Sequence, residues 1–460
     1  MALGAVHIIA IAATLALIMG LGVWSGRRVK NADDFNNGGK SAGTLLVAGT
    51  IAGTLVGGSS TIGTAELAYN FGFSAWWFTL GSCMGCLLLA AVYAVPVRRS
   101  ECATIQEIIS REYGKTAGLV TSVLTSLGIV LNIVAQILAA NALLGSMFGF
   151  SPVLCSVVSV VIMACYVLFG GIRGSGILGW VKMGLIYMAA VWCGVLALWL
   201  VGGFAGFREA LPAMYFYPFA RGFGKDFGAA LNVMLGVVST QTYIQAVLMG
   251  RTNREAVRGC LVAAALTPPV GLFSIFVGMY MRLNYPGLSA AEAFPTFILD
   301  HLPAVPAGVA MAALLIAVVG TGSGMALGFG AIISNDIYKR FIDRNADKRR
   351  MLLVSRVIIM ASLVFSAVFT LGSLGSAILT WGFLSMGLRA VVLLAPMTTA
   401  LFLPGRIPAR AALAASCLGI AAMLAAALVD LPFDSLFVGM FAAALVLVVG
   451  FVMGGRRVDA

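Results

Sequence analysis

A stretch rich in glycine and hydroxyl groups, residues 49–63, lies inside an apolar run long enough to cross a bilayer. Five of its fifteen residues are glycine and five carry a hydroxyl group. Each interior glycine weakens a helix by about 1 kcal/mol relative to alanine. A helix in lipid can break only where protein or a water-filled cavity takes up the freed backbone groups. We therefore expect a broken helix at mid-membrane, with carbonyls and amides open to a ligand.

The composition is that of a polytopic membrane protein. The chain is 61% hydrophobic and 10% charged, whereas a soluble domain is about 25% charged. Its net charge of +12 does not indicate nucleic acid as a partner, because basic residues in membrane proteins mark cytoplasmic loops. Cys83 and Cys86 form a Cys-x-x-Cys pair without a nearby histidine or acid, and we interpret them as small packing residues.

Thirteen segments approach the roughly 20 residues that a crossing needs. They are 5–24, 43–69, 73–97, 117–147, 151–169, 177–203, 227–249, 258–283, 304–334, 351–371, 375–403, 409–429 and 433–454. Of the 29 basic residues, 22 fall in one set of alternate loops, 4 in the other set and 3 within spans. This asymmetry predicts a multi-pass protein of the plasma membrane, with its N-terminus outside and its C-terminus in the cytoplasm.

The second and seventh spans share a polar middle. The seventh contains Gly236, Ser239, Thr240, Gln241 and Gln245 within its apolar sequence. The two spans are an odd number of crossings apart and therefore cross in opposite directions. Corresponding broken helices of opposite orientation are the sequence sign of an inverted-repeat transporter.

Ionisable residues inside spans are costly and are site candidates by default. Arg389 lies near the centre of span eleven, where either an internal salt bridge, a carbonyl clamp or a ligand carboxylate can satisfy it. Lys182 lies near the start of span six, either reaching the cytoplasmic headgroups or held as a buried ammonium. Glu66, in the outer half of span two, can carry a proton, face the vestibule or pair with a base.

Neutral polar residues give further candidates. Asn132 and Gln136 are four residues apart on span four and so share one helical face. They either join helices or line the pore. Span nine repeats the composition of span two around Gly320, Thr321 and Ser323. Its glycines allow close helix approach, and its hydroxyl oxygens suit a hard alkali cation.

Four motifs together resemble the sodium:solute symporter family, whose core is LeuT-like. The sequence ISNDIYK at 333–339 resembles the Asp-[Ile/Leu]-Tyr-Lys motif that follows the eighth core helix of the family. The sequence YVLFGGIR at 166–173 resembles its Tyr-x3-Gly-Gly motif. QTYIQ at 241–245 resembles a glutamine motif of the sixth core helix, and Asp34-Phe35 before Gly38-Gly39 resembles the loop preceding the first.

The resemblance implies an all-α integral membrane fold of about thirteen helices. Its core would be two inverted five-helix repeats, with the first and sixth core helices broken. The corresponding division of this chain is 1–42 for an extra span and loop, 43–204 for the first repeat, 205–226 for an outer loop, 227–404 for the second repeat and 405–460 for two C-terminal spans and the tail.

The resemblance also implies a cation site beside a substrate site. The cation set would be the carbonyls of Gly53, Val56 and Ala317, and the positions Gly320 and Thr321, with Lys182 nearby. The substrate set would be Gly57, Gly58, Ser59, Ser60, Asn132, Gln136, Gly236, Ser239, Gln241 and Arg389. Sodium is the coupling ion that the family implies, and no other cofactor is expected.

This chain departs from the family pattern at the cation site. Gly320 stands where the family usually has a hydroxyl residue, and Leu178 and Gly179 stand where it usually has Thr-Asp. Lys182 stands where the family usually has glutamine. The loss of a hydroxyl and a carboxylate and the gain of a lysine lead to an alternative hypothesis, in which an ammonium group replaces sodium and transport is coupled to protons or uncoupled.

Three functions therefore compete. The first is cation-coupled import of a small organic solute, for which Arg389 favours a carboxylate. The second is a channel or a sensor built on a transporter fold. The third is a membrane enzyme, which we do not expect because His7 and His301 are the only histidines and no catalytic cluster occurs in the spans. The sequence leaves the solute and the oligomeric state open.

Overall fold

The structure is a computed structural model that describes residues 4–26, 41–343, 345–372, 377–429 and 431–455. Within these ranges every regular element is a helix, and one isolated β-bridge joins Ala42 to Gly250. The all-α membrane class is thereby confirmed. The loop with Asp34-Phe35 and Gly38-Gly39 lies outside the described residues.

The α-helices follow one another along the whole described chain. They are α1 Ala5–Gly26, α2 Thr44–Leu55, α3 Thr64–Phe71, α4 Trp77–Leu88, α5 Ala94–Arg99, α6 Ile105–Tyr113, α7 Lys115–Phe148, α8 Pro152–Leu200, α9 Gly203–Ala210, α10 Phe223–Val238, α11 Gln241–Met249, α12 Asn253–Asn284, α13 Ala293–His301, α14 Ala304–Ile332, α15 Lys348–Leu371, α16 Ile378–Phe402, α17 Ala409–Ala427 and α18 Ser435–Gly455. Stretches of π- or 3-10 helix lie at Ser59–Gly63, Gly72–Trp76, Leu89–Tyr93, Ala213–Phe216, Ala290–Glu292 and Ile333–Ile342.

The first helix break falls where the sequence predicts it. α2 ends at Leu55, and Val56 has an extended backbone with φ −86° and ψ 94°. Helical backbone resumes in the π-helical turn Ser59–Gly63 and continues into α3. Glycine is required at 57, because a Cβ there would stand 2.2 Å from the Thr321 hydroxyl oxygen. The break thus brings the backbone of the first broken helix directly against α14.

The second break separates α10 from α11, whose axes differ by 45°. The two broken helices meet at the β-bridge, just before α2 and just after α11. There the Ala42 N–H donates to the Met249 carbonyl at 2.9 Å, and the Arg251 N–H donates to the Ala42 carbonyl at 2.8 Å. The start of one broken helix therefore lies beside the end of the other, and the pair runs in opposite directions as an inverted repeat requires.

α8 differs from its prediction, because helical backbone continues through the expected loop between the spans 151–169 and 177–203. Tyr166 and Lys182 would be about 24 Å apart along a straight helix. Their side-chain tips nevertheless both lie within 3.5 Å of the point where a Gly320 Cβ would be. Each side chain reaches about 6.5 Å, so the Cα atoms are at most about 20 Å apart. The axis of α8 therefore bends between these two residues.

The predicted number of spans is not confirmed. Within the described ranges nine helices are long and apolar enough to cross a membrane, or ten if the bent pair is one span. Three shorter apolar helices, Ala5–Leu17, Thr44–Leu55 and Pro152–Val167, accompany them. The breaks are enclosed by α7, α8, α14 and α16, whereas α17 and α18 pack on the outside of α16. The proposed repeat boundaries stay predictions.

Candidate functional site

Lys182 links three helices at the predicted cation site. Its ammonium donates to the Gly53 carbonyl on α2 and to the Thr321 hydroxyl on α14, the latter at 3.0 Å. The Thr321 hydroxyl in turn donates to the Thr54 carbonyl at 3.1 Å. The Lys182 side chain is 2% exposed, so it does not reach the headgroups. An ammonium therefore contacts two of the groups that the family resemblance assigns to sodium.

Three glycines bring Lys182 to this position. A Cβ at Gly53 would stand 2.6 Å from the Gly179 Cα, and a Cβ at Gly179 would stand 2.1 Å from the Gly49 carbonyl oxygen. Both distances are shorter than any real Cβ contact, so α8 and α2 meet backbone to backbone only because these residues lack side chains. One helical turn after Gly179, the lysine side chain can then reach the Gly53 carbonyl.

The other predicted cation ligands, Val56, Ala317 and Gly320, accept no hydrogen bond from Lys182. Lys182 donates no hydrogen bond to Val56 or Ala317, and its third N–H has no acceptor among the described residues. Gly320 lies next to the ammonium, since a Cβ there would be 3.4 Å from Lys182 Nζ and 3.5 Å from the Tyr166 hydroxyl. These are ordinary van der Waals distances, so a Cβ at this position is tolerated.

Arg389 is completely buried, and neutral groups surround it. Its Nε donates to the Ser385 carbonyl at 3.0 Å, and its two terminal nitrogens donate to the Thr240 and Ser385 hydroxyls at 2.7 and 3.0 Å. The two remaining contacts are to the thioether sulfurs of Met325 and Met386, at 3.8 and 3.1 Å. In the described part of the chain no carboxylate pairs with it, so of the three alternatives the internal salt bridge is not found.

One face of α7 connects Arg389 to the first broken helix. A Cβ at Gly128 would stand 2.9 Å from Arg389 Cγ. Two turns further on, the Gln136 amide accepts from the Gly58 N–H at 2.9 Å and donates to the Ser59 hydroxyl at 3.1 Å. Asn132 lies between them on the same face, and its Oδ1 is buried without a partner. Gln136 therefore joins α7 to the break, and the alternative that Asn132 and Gln136 line the pore stays a prediction.

The unwound backbone of the first broken helix is largely satisfied by its own residues. The Ser60 hydroxyl accepts from the Gly57 N–H at 2.9 Å and lies 3.0 Å from the Gly57 carbonyl. The Thr61 hydroxyl donates to the same carbonyl at 2.8 Å. Gln136 also satisfies the Gly58 N–H, so the backbone groups at Gly57 and Gly58 are not open to a ligand as expected, because nearby side chains bond to them.

The predicted site residues of the second broken helix have different surroundings. Gly236 packs on α16, where a Cβ would stand 2.5 Å from Met386 Cβ. The Ser239 hydroxyl is buried without a partner, next to the residue that accepts from Arg389. The Gln241 amide accepts from the Ile105 N–H and donates to the Ala103 carbonyl, both at 3.0 Å. Gln241 thus caps the start of α6, and its predicted contact with substrate stays a prediction.

Two aromatic rings pack next to Ser59 of the first broken helix. The rings of Phe78 and Phe383 are 5.7 Å apart, and the Cβ position of Gly382 is 3.5 Å from both Phe78 and the Ser59 hydroxyl oxygen. The guanidinium of Arg221 lies 5.6 Å from the Phe383 ring centre and forms an ion pair of 2.6 Å with the buried Asp226.

Sequence reasoning missed this aromatic pair and the role of Ser385, although the spacing of Ser385 and Arg389 by four residues places them on one helical face. Glu66 lies in α3, at the other end of the π-helical turn from Ser59. Its side chain is buried, and its carboxylate accepts from the Ile378 N–H at 2.9 Å at the start of α16. A carboxylate at a helix N-terminus is favourably placed, which gives Glu66 a structural partner.

Two antiparallel broken helices, with polar groups gathered at the breaks, are the architecture of a secondary transporter. The profile of the sodium:solute symporter family matches residues 35–419, so the chain belongs to that family. The predicted family is thereby confirmed, as is the expectation that the protein is a transporter rather than an enzyme.

The chain is similar to the high-affinity choline transporters 1 of Homo sapiens and Caenorhabditis elegans. The human protein is 23% identical over 435 residues, which cover 86% of this chain and 73% of that protein. The nematode protein is 22% identical over 412 residues, which cover 79% and 68%.

A solved structure of a Na⁺-coupled sialic acid symporter, in a substrate-bound outward-open state, has the same LeuT-like fold. It superimposes with a TM-score of 0.84 at 18% identity and covers 98% of both chains.

Proposed function

We propose that this protein imports a small carboxylate-bearing solute across the plasma membrane by alternating access. The observation that carries the proposal is the fully buried guanidinium of Arg389, which has no carboxylate partner among the described residues. A buried cation of this kind is stable only when a negative charge or a complete set of good acceptors is supplied. Two of its contacts are to thioether sulfurs, which are weak acceptors.

A solute carboxylate matches this arrangement. One sulfur contact lies on each terminal nitrogen of Arg389, so a single carboxylate can replace both sulfurs through a bidentate pair. Such pairing is short, planar and roughly twice as strong as neutral hydrogen bonding. We therefore assign Arg389 as the residue that selects the charged end of the solute.

The same geometry argues against a quaternary ammonium solute such as the choline named in the relatives. Proteins recognise quaternary ammonium groups with cages of aromatic faces. Near this site Phe383 is already covered by Arg221, and Tyr69 is covered by Arg282 at 5.4 Å. A second positive charge beside Arg389 would also be repelled. The substrate of these relatives is therefore not transferred to this chain.

The test is a ligand screen on purified protein followed by uptake into proteoliposomes. Carboxylates, amino acids, vitamins and choline are compared by thermal shift, and the strongest ligand is then used for uptake. We expect carboxylates to stabilise the protein and Arg389→Lys to lose most of that effect, because lysine cannot form a bidentate pair. Arg356→Lys is the matched control, since Arg356 is an exposed arginine of α15. Tight choline binding with unchanged affinity in Arg389→Lys would refute the proposal.

Coupling rests on Lys182. Its ammonium contacts the Gly53 carbonyl and the Thr321 hydroxyl, and Gly320 supplies no further oxygen. A sodium ion cannot share these two ligands with an ammonium group at hydrogen-bond distance from both. This supports a carrier in which Lys182 takes the place of sodium, and transport is coupled to protons or to no ion.

Uptake in sodium-free buffer separates this coupling from the sodium symport that family membership implies. We expect equal initial rates when potassium replaces sodium at constant ionic strength. Strict dependence on sodium would eliminate the role given to Lys182 while leaving the solute assignment intact. Saturable accumulation against a gradient would in addition distinguish a transporter from a channel or a sensor.

A further inference from the structure

A cavity outside the predicted cation and substrate sets lies at the ends of two spanning helices. Its volume is about 470 Å³, and its lining comes from α5, from α6 with the loop before it, and from the end of α16. The apolar helical run that contains α5 ends at Arg99, and α16 ends at Phe402. Both helices lead into loops of the basic set that the sequence predicts to be cytoplasmic. We therefore place this cavity at the cytoplasmic surface of the membrane.

Hydrogen bonds join the helices that form the cavity. The Tyr113 hydroxyl of α6 donates to the Thr399 hydroxyl of α16 at 2.7 Å. The Tyr93 hydroxyl, one residue before α5, lies 2.8 Å from the Thr398 hydroxyl of α16. The cavity is therefore enclosed by helices that are bonded to one another, and it is not a gap between loose loops.

Two arginines line the cavity, and in the described chain no carboxylate pairs with either. Arg99 makes no hydrogen bond or ion pair with a described residue. Arg111 donates to the Ser100 carbonyl at 3.2 Å, which brings its guanidinium to the end of α5. The neighbouring Arg98 differs, because it donates to the Val247 carbonyl at 2.8 Å and so holds the end of α11. Arg99 and Arg111 thus present positive charge to the cavity.

Much of the remaining lining is apolar. Pro96, Ile108 and residues 400–402 contribute carbon surface to the cavity. The Phe402 side chain is 45% exposed, and that of the adjacent Leu403 is 37% exposed. A soluble anion would neutralise the arginines but leave this apolar surface uncovered. A molecule with an anionic head and apolar chains would satisfy both parts of the lining.

We propose that this cavity binds the phosphate headgroup of an anionic phospholipid, whose acyl chains lie along Phe402. Guanidinium groups match the geometry of phosphate oxygens and bind them with charge-assisted hydrogen bonds. Basic pockets between membrane helices on the cytoplasmic side are suited to anionic lipid headgroups. The site is separate from the proposed solute site, and it does not depend on which solute is transported.

The acidic member of the lining does not cancel this attraction. Glu112 carries one negative charge, and its carboxylate accepts from the Gly405 N–H in the loop after α16. The two lining arginines exceed that charge. Arg406 and Arg410 follow Gly405 in the chain, and both are exposed. They add to the attraction that an anionic membrane surface exerts on this region.

The test compares the purified full-length protein in nanodiscs of phosphatidylcholine with and without phosphatidylglycerol. We expect phosphatidylglycerol to raise the melting temperature, because a ligand of the folded state stabilises it. Native mass spectrometry should find phosphatidylglycerol, but not phosphatidylcholine, retained on the protein. Equal melting temperatures in the two membranes, or retention of both lipids alike, would overturn the proposal.

A pair of substitutions locates the headgroup. Arg99→Gln combined with Arg111→Gln should weaken phosphatidylglycerol binding about 10-fold or more and remove most of the thermal shift. Arg254→Gln combined with Arg258→Gln is the matched control, since it removes the same charge from two exposed arginines of α12. The measured quantity is the difference between the two membranes, so a purely structural loss in a variant leaves it unchanged. Equal losses in both pairs would show general attraction to the membrane surface and would overturn the site.

Glycerol 3-phosphate distinguishes a lipid from a free phosphate. It carries a phosphate group without acyl chains, and we expect it to give no comparable shift. Phe402→Ala should weaken phosphatidylglycerol binding, whereas Phe441→Ala, at an exposed position of α18, should not. Stabilisation by glycerol 3-phosphate as strong as that by the lipid, or unchanged lipid binding in Phe402→Ala, would overturn the lipid assignment.

Discussion

Lys182 and Arg389 are both buried cations without a carboxylate partner in the described chain, but their surroundings differ in kind. Lys182 bonds to two helices other than its own, through the Gly53 carbonyl and the Thr321 hydroxyl. Arg389 bonds to the Ser385 carbonyl and hydroxyl of its own helix, to the Thr240 hydroxyl at the second break and to two sulfurs. The first arrangement consists of strong acceptors that fix a resident charge. The second leaves weak contacts that an incoming anion can replace.

The largest effect should come from removing the Arg389 guanidinium, the group that we assign to the solute. Arg389→Met should weaken carboxylate binding about 100-fold or more, equivalent to about 2.7 kcal/mol. The melting temperature of the ligand-free protein should change little, because the Thr240 and Ser385 hydroxyls that lose the guanidinium still donate to the Gly236 and Gly128 carbonyls. Calorimetry and thermal unfolding measure the two quantities. A large loss of stability with little loss of affinity would instead give Arg389 a structural role, and Arg356→Met serves as control.

For the Lys182 ammonium we expect a loss of uptake rate rather than a loss of solute affinity. Lys182→Met should lower the uptake rate about 10-fold or more but change solute affinity by less than about 10-fold. The Gly53 carbonyl and the Thr321 hydroxyl would lose a charged partner, which weakens the contact between α2, α8 and α14. Uptake and binding are measured on the same preparation. Equal losses in both would show that the two cations serve one site.

Removing the resident charge and restoring a hydroxyl should create sodium dependence. In Lys182→Met combined with Gly320→Ser, a serine side chain enters the space beside the former ammonium. Sodium at ten times its Kd should then stabilise the protein by about 1.4 kcal/mol, whereas potassium should not. Differential unfolding in the two salts measures this effect. If the wild type is stabilised by sodium to the same extent, Lys182 does not replace the ion.

The smallest effect should come from removing the Thr321 hydroxyl, which joins Lys182 to the first broken helix. Thr321→Val should lower stability by about 1 kcal/mol, because Lys182 loses an acceptor and the Thr54 carbonyl loses a donor. Thr321→Ser keeps both hydrogen bonds and should behave like the wild type. The unfolding midpoints of the two variants, compared with that of the wild type, test this expectation. Equal destabilisation by serine would show that the threonine methyl group, rather than the hydroxyl, is important.

Much of the site could be predicted from local composition. Glycine and hydroxyl groups in an apolar run locate the first break because they disfavour helix regardless of what surrounds them. Lys182 and Arg389 are conspicuous because charges are rare in lipid. These signals lie in short stretches of chain, and the structure finds both residues buried beside the breaks.

The partners of these residues could not be predicted in the same way. Gln241 pairs with Ala103 and Ile105, more than 130 residues away, which no local pattern indicates. The polar middle of the seventh span correctly located the second break but not the direction of each side chain. The continuous backbone of α8 was also missed, because glycines at 170 and 171 predict a loop from propensity alone while tertiary packing can keep them helical.

If the Lys182 ammonium takes the place of sodium, as proposed, the energy for transport must come from another source. Sodium that binds outside and leaves inside delivers free energy from its gradient at every turnover, whereas an ammonium group in its place, as proposed for Lys182, is never released and delivers none. An anionic solute entering alone would also work against an inside-negative potential, at about 2.3 kcal/mol per charge for each 100 mV. Under the proposed function and coupling, accumulation of a carboxylate therefore requires that a proton travel with it. Without that proton, the electrical driving force on the same carrier points outward.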